Sequence, residues 1–153
     1  MKEIIWDDYL YRDDLKTCTE ERINREEQKV GVILPESLKF LMMKHGGQTA
    51  ENLIPIYPNG MEMAFVCLYH GYPEDKEADG YTISFKTSCL VDEGYKNYIV
   101  FSNTGNVFLA LDYNVREIEP PVVFIFRDSL PDDPEHRYLL ADNFQEFLDK
   151  YTV

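Results

Sequence analysis

Basic residues are scarce in this 153-residue chain, and their scarcity limits what the chain can bind. Fifteen Lys and Arg stand against 28 Asp and Glu, which gives a formal net charge of −13 at pH 7. Binding to nucleic acids and to anionic membrane surfaces depends on clustered Lys and Arg. The composition therefore argues against nucleic acid and against a membrane as direct partners.

Long apolar runs and regularly spaced cysteines are also missing. No run approaches the roughly 20 apolar residues of a membrane span, and no charged-then-apolar signal stands at the N-terminus. The three cysteines, Cys18, Cys67 and Cys89, are odd in number and widely spaced. We therefore expect free thiols and a cytoplasmic location, where thiols stay reduced.

The motifs that support catalysis or hold a cofactor are missing as well. His45, His70 and His136 have no His-x-x-x-His spacing, and there is no Cys-x-x-Cys pair, so we expect no metal site. The sequence contains no phosphate-binding glycine loop and no Gly-x-Ser-x-Gly elbow. We expect a protein that is not an enzyme, has no catalytic residues and binds no cofactor. A small-ligand site would need a concave pocket, which a sequence does not reveal.

What is present is the composition of one folded domain. Hydrophobic residues make up 44% and aromatic residues 14% of the chain, and its length is that of a typical domain. Without an internal repeat or a linker, we expect one domain over residues 1–153. Residues 1–18 form an N-terminal extension that packs on it, and whether residues 1–16 are helical or extended stays open.

Two helices are predicted in the N-terminal third. The first begins after Thr17 or Thr19 and ends where Gly31 permits a left-handed cap. The second begins at Leu34-Pro35, because a proline fits the first turn of a helix. The glycines within residues 45–47 end this second helix.

Strand signals fill the middle of the chain. Two apolar runs flank residues 102–106, a Gly-containing connection that predicts a β-hairpin. The run 122–126 is continuously apolar and predicts a central strand, and residues 81–85 alternate as a half-buried strand does. The segments with strand signals are residues 53–56, 61–69, 81–85, 98–101, 107–111 and 122–126.

A third helix closes the chain and completes the predicted fold. Asp142 caps it, with Gln145 at the matching third position, and apolar side chains recur at helical spacing from Phe144 to Tyr151. This apolar face must lie on the sheet. We predict an α+β fold with two N-terminal helices, a largely antiparallel sheet of about five or six strands, and a C-terminal helix packed on that sheet.

These landmarks follow one another in an order that resembles the SUKH superfamily. The resemblance covers about residues 19–149. It is carried by Ile23, Glu27 and Val30-Gly31, Leu34-Pro35 with Leu38 and Leu41, His45-Gly46-Gly47, residues 98–102, residues 105–108, Leu111-Asp112-Tyr113, Pro120-Pro121-Val122-Val123 and residues 141–148.

Some positions depart from the family pattern. Glu26 stands where the first helix usually has an apolar residue, Asn143 stands where the family prefers serine, and residues 71–80 form an acidic insertion. Two family positions are acidic, and we expect structural roles for both. The Glu27 carboxylate accepts hydrogen bonds from nearby backbone N–H groups, and Asp112 fixes the loop after its strand.

The resemblance implies a function that the residues alone do not supply. Bacterial members of this superfamily are largely immunity proteins, which bind and neutralise polymorphic toxins, many of them nucleases. The resemblance therefore implies an immunity protein with a cognate toxin as its partner, and the acidic composition indicates a basic toxin. The alternative is a regulatory or scaffold interaction domain without a toxin partner, as in the fungal cell-wall regulators of the superfamily.

The acidic residues are concentrated in residues 70–93 and in the C-terminal third. Residues 70–93 hold six acids and two lysines. Composition does not decide whether they form a solvated face or a docking face for a basic partner. For an immunity protein we expect contact through these acids and neighbouring tyrosines. The candidate partner-binding residues are Tyr72, Glu74, Asp75, Glu77, Asp79, Tyr81, Asp92, Glu93 and Tyr95.

Overall fold

The structure is a computed structural model, and it describes residues 2–7, 18–62, 66–68 and 82–153. Within these ranges the chain forms four α-helices, one 3-10 helix and seven strands. In chain order they are β1 (Trp6–Asp7), α1 (Glu20–Val30), α2 (Glu36–His45), β2 (Thr49–Ala50), β3 (Val66–Cys67), α3 (Ile83–Asp92), β4 (Tyr98–Thr104), β5 (Val107–Asp112), β6 (Val122–Phe126), the 3-10 helix (Pro134–His136), β7 (Arg137–Ala141) and α4 (Phe144–Tyr151).

The strands form two antiparallel sheets in the described part of the chain. The smaller sheet has the order β1-β2-β3, and the larger sheet has the order β4-β5-β6-β7. The prediction of an α+β fold is confirmed, whereas the prediction of one sheet with five or six strands is wrong in detail. Short two-residue strands such as β1 to β3 leave too little periodicity for a sequence pattern to assign them to a second sheet.

The larger sheet carries the core. Residues 122–125 of β6 are buried between β5 and β7, as predicted for a central strand. The predicted β4–β5 hairpin is confirmed, with paired strands that extend to Thr104 and Val107 and a turn at Gly105-Asn106. The sequence analysis missed β7, whose second and third residues are both exposed and therefore break the alternation of a half-buried strand.

The C-terminal helix packs on this sheet through aromatic contacts. The Phe101 ring of β4 meets the rings of Phe144 and Phe147 edge to face, with centroids 5.3 and 5.7 Å apart. The cap of α4 is Asn143 rather than the predicted Asp142, because the extended backbone of Asn143 lets its side chain accept from the Glu146 N–H at 2.8 Å.

The two N-terminal helices begin and end close to their predicted positions. Thr19 caps α1, since its hydroxyl accepts from Arg22 N–H at 3.2 Å, and Gly31 ends the helix with φ of 75°. Pro35 stands at the cap position of α2, one residue before the first turn. At the other end of α2, the Trp6 ring stacks on His45 with a centroid distance of 4.3 Å.

The strand predicted at residues 81–85 is wrong. Tyr81 lies outside the described residues, and the residues after Thr82 form α3. Thr82 caps this helix by accepting from Phe85 N–H at 3.2 Å. The buried residues of α3 are Ile83, Thr87 and Leu90, which recur at helical spacing. Five alternating residues are too few to distinguish a strand from one turn of a helix that is buried on one side.

None of the helices in the described ranges combines the length and the apolar character needed to cross a bilayer.

Candidate functional site

The predicted partner-binding residues separate into three groups in the structure. Asp92 and Glu93 are exposed at the end of α3. Tyr95 is buried in the core. The other six lie outside the described residues, so their predicted role stays a prediction: they are Tyr72, Glu74, Asp75, Glu77, Asp79 and Tyr81.

Tyr95 does not have the exposed position that a surface anchor needs. Only 3% of this residue is exposed. Its hydroxyl donates to the carbonyl oxygen of Ser129 and lies 3.4 Å from that of Arg127, while its ring lies against His136 at a centroid distance of 5.6 Å. Burial raises the pKa of Tyr95, and the negative charge of Glu93 raises it further. The buried Tyr95 side chain therefore fixes the loop after β6.

Two acidic segments, residues 92–96 and residues 127–136, pack against each other. We call them the acidic loop pair. The Arg127 guanidinium donates to both carboxylate oxygens of Glu93, at 2.6 Å each. A Cβ atom at Gly94, where φ is 93°, would lie 3.2 Å from Pro131 Cγ, so the two loops are in close contact. The structure thus brings Asp92 and Glu93 next to the acids of residues 128–135.

The acidic loop pair has a strong excess of negative charge. Its residues include six carboxylates and two cations, Lys96 and Arg127. Five of the six carboxylates belong to exposed residues, whereas Asp133 is half-buried and caps the 3-10 helix by accepting from Glu135 N–H at 2.9 Å. Exposed negative charges that lie close together make the electrostatic potential over a surface more negative. The described part of the surface is therefore strongly acidic.

A second concave surface was not predicted from the sequence. A cleft of about 860 Å³ lies where the end of α1 and the α1–α2 loop meet the loop after β5. Ile33 of the first loop and Ile118 of the second line it, and they are 69% and 80% exposed. The carboxylates that line it belong to Glu27 and Glu117. We call it the α1–β5 cleft.

Hydrogen bonds and one ion pair fix the residues that line the α1–β5 cleft. The Tyr113 hydroxyl donates to the carbonyl oxygen of Ile33 at 2.6 Å, which joins the two loops across the cleft. The Glu27 carboxylate accepts from Leu34 N–H at 2.7 Å and pairs with Lys39 at 3.4 Å. The predicted structural role of Glu27 is therefore confirmed. Burial raises the pKa of Tyr113, and the negative charges of Glu27 and Glu119 raise it further.

Asp112 has the predicted structural role as well. One carboxylate oxygen accepts from Asn114 N–H at 3.0 Å, which fixes the loop after β5, and the other accepts from Arg137 Nε at 2.7 Å. The Asp112 side chain is thereby buried and fully engaged in holding the loop that carries Ile118.

One sequence signal points to the α1–β5 cleft. Ile118 is a single apolar residue between Glu117 and Glu119, and two prolines follow Glu119. Ile33 stands in the loop directly before Leu34-Pro35. An aliphatic residue in a polar loop is not needed for the core, so its exposure can serve binding. That the two loops meet is a property of the folded chain alone.

Metal-binding clusters and reactive thiols both depend on where the His, Cys, Asp and Glu side chains lie. In the ranges that the structure describes, no three His, Cys, Asp or Glu side chains converge as a metal site would require. Cys18 and Cys67 are buried, and burial raises the pKa of the Cys67 thiol to about 12, which keeps it protonated.

Comparison with known proteins places the chain in a family. No curated protein matches the sequence. The family comparison, in contrast, matches residues 17–150, which includes both N-terminal helices, all four strands of the larger sheet and nearly all of α4. A match of this extent covers both the acidic loop pair and the α1–β5 cleft. The chain therefore belongs to the SMI1 / KNR4 family (SUKH-1).

Proposed function

We propose that this protein is an immunity protein that binds a cognate polymorphic toxin, a basic nuclease domain, and neutralises it by occlusion. The family includes toxin immunity proteins. The observation that carries the proposal is the acidic loop pair, where five exposed carboxylates and the half-buried Asp133 gather in a chain with a net charge of −13. The proposed site of action is the cytoplasm of the cell that makes the toxin.

The proposed mechanism is binding without chemistry. A nuclease carries a basic groove for the phosphates of its substrate, and opposite charges accelerate the encounter of two protein surfaces. The acidic loop pair would occupy that groove as the phosphates do, but it offers no bond to cleave. An interface of standard size buries about 1,600 Å² in total, and a few anchor side chains supply most of its energy. No enzymatic step belongs to this proposal.

The test is neutralisation in cells. The toxin encoded by the adjacent open reading frame is expressed with and without this protein, and the two purified proteins are mixed and separated by size exclusion. The proposal predicts that co-expression restores growth and that the two proteins elute together. Unchanged killing together with separate elution contradicts it for that pair.

The alternative, a regulatory or scaffold interaction domain without a toxin partner, makes the opposite prediction. Deletion of the gene would then disturb the cell in the absence of any toxin, and no toxin gene would stand beside it. Growth of a deletion strain that also lacks the toxin gene distinguishes the two, because an immunity protein is dispensable there.

A further inference from the structure

The α1–β5 cleft combines features that suit a protein segment. Its volume of about 860 Å³ lies within the range of about 300–1,000 Å³ that is usual for binding pockets. Ile33 and Ile118 reach it from two different loops and are mostly exposed, so two aliphatic side chains face one concave site. Apolar surface in a concave site is stabilised when an apolar side chain covers it.

The charge of the cleft selects the partner. Among the described residues, its ionisable lining consists of Glu27, Glu117 and Tyr113, with no Lys, Arg or His. Glu117 is exposed and forms no ion pair within the described ranges. The neighbouring cation, Arg116, binds elsewhere, with its guanidinium 3.2 Å from the Asp142 carboxylate. The buried Glu27 carboxylate is already paired with Lys39, so an ammonium or guanidinium group in the cleft would meet the free carboxylate of Glu117.

Amide side chains add the means to bind a main chain. Asn24, Gln28 and Asn97 line the cleft, and an amide side chain can both donate and accept hydrogen bonds. The Asn97 amide already donates to the Asn114 side chain at 3.0 Å. The Tyr113 bond to the Ile33 carbonyl oxygen holds the two loops together before any partner arrives. A preformed site loses little conformational entropy on binding.

We propose that the α1–β5 cleft is the docking site for one segment of the partner protein, a loop or extended strand with an aliphatic side chain next to a Lys or Arg. The aliphatic side chain lies against Ile33 and Ile118, the cation contacts Glu117, and the segment's main chain binds the amides. This inference rests on the proposed function, because it identifies the partner as the toxin. It adds a recognition site separate from the acidic loop pair.

A synthetic peptide tests the chemistry of the cleft without any toxin. The probe is acetyl-Gly-Arg-Leu-Lys-Gly-amide, titrated into the labelled protein while backbone amide signals are followed by NMR. The inference predicts saturable shifts at Gly31, Val32 and Ile33. Two control peptides, one with Glu in place of Arg and Lys and one with Ser in place of Leu, bind about tenfold more weakly or not at all. Equal shifts with all three peptides, or shifts confined to other surfaces, overturn the inference.

Paired variants test the same site in cells. Ile33→Asp and Ile118→Asp change exposed side chains, so both variants keep the wild-type melting temperature within a few degrees. Phe40→Asp adds the same charge at an exposed position outside the cleft and serves as the matched control. We expect the two cleft variants to bind the Leu peptide about tenfold more weakly and to lose protection against the toxin, whereas the control keeps both.

The two proposals fail in different ways. If the wild-type chain protects and the cleft variants protect equally well, the docking site is wrong and the immunity function stands. If the wild-type chain does not protect at all, the immunity function is wrong for that toxin, and the peptide titration still decides whether the cleft binds an aliphatic and basic segment.

Discussion

At the scale of the residue, Glu26 of α1 shows how a carboxylate can take the place of an apolar side chain in a core. Glu26 is only 2% exposed, and its oxygens accept from the backbone N–H and the hydroxyl of Ser84 at 2.8 to 3.1 Å. Ser84 lies in the first turn of α3, where N–H groups lack partners and the helix dipole favours negative charge. Glu26 thus links α1 to α3 through a satisfied buried charge.

Replacing Glu26 tests this link. In Glu26→Ala the Ser84 N–H loses its buried acceptor, so we expect the free energy of unfolding to fall by about 2–3 kcal/mol. Glu26→Gln keeps an acceptor oxygen and should lose about half as much. Urea unfolding measures both, with Glu21→Ala as control because Glu21 has a side chain 83% exposed. Equal stability of Glu26→Ala and the control would contradict the structural role of Glu26.

The buried thiol of Cys67 gives a pH dependence with a defined sign. Burial raises its pKa to about 12, whereas a thiol in the unfolded chain ionises near about pH 8.5. Above that pH the unfolded state releases the proton first, so the contribution of Cys67 to stability is complete below about 8.5 and decreases up to about 12. In Cys67→Ala we expect a smaller loss of unfolding free energy between pH 8.5 and 10.5 than in the wild type. Identical slopes would contradict the burial of this thiol.

At the scale of the element, the parts of the fold that could be predicted are those with long patterns of their own. The C-terminal helix, the β4–β5 hairpin and β6 each combine an apolar pattern with a second local signal: a polar cap, a Gly-containing turn and a preceding pair of prolines, respectively. The prediction of a strand at residues 81–85 is wrong because the alternating pattern is short. In addition, the backbone N–H of Ser84 donates to Glu26, which lies in a helix far away in the sequence. Tertiary contacts decided that element.

The packing of α4 on the sheet predicts a ranking of two substitutions. Phe147 is fully buried against Phe101, so Phe147→Ala should lower the free energy of unfolding by about 3–5 kcal/mol. Asn143→Ala removes only the cap and should cost about 1 kcal/mol. Chemical denaturation of the two variants measures the ranking, and the reverse order would show that α4 is held by its cap rather than by its apolar face.

The candidate surfaces were predictable only where local composition suffices. Asp92 and Glu93 were found from charge density, and the structure brings the C-terminal acids beside them through the contact of Gly94 with Pro131. Tyr95 was placed on the surface because it follows a turn, yet its ring fills the space under the β6–β7 loop. The α1–β5 cleft joins Ile33 and Ile118, which are distant in sequence, so no local pattern could predict their meeting.

At the scale of the whole molecule, the net charge of −13 acts on stability as well as on binding. Like charges repel one another more strongly in the compact state than in the expanded unfolded chain. Salt screens this repulsion, since the Debye length falls from about 30 Å at 0.01 M to about 8 Å at 0.15 M. Repulsion among the acidic residues therefore lowers the stability of the folded protein at low salt.

The melting temperature should accordingly rise as NaCl is added. We expect an increase of a few degrees between about 0.01 and 0.15 M, because screening removes repulsion among exposed acids. The double variant Asp132→Asn and Glu135→Gln removes two charges of the acidic loop pair and should show a smaller increase. Thermal unfolding by circular dichroism measures this, and a melting temperature that falls with salt would mean that attractive ion pairs dominate.

The most direct test of neutralisation by occlusion is a titration of purified toxin activity with this protein. Occlusion predicts that the activity of the neighbouring toxin falls in proportion to added protein and reaches its minimum at a fixed stoichiometric ratio. It also predicts that activity returns when the complex is separated under denaturing conditions and the toxin is refolded alone. Toxin activity that persists in excess protein would contradict the account, and so would inactivation by far less than a stoichiometric amount, which would show that the protein acts as a catalyst.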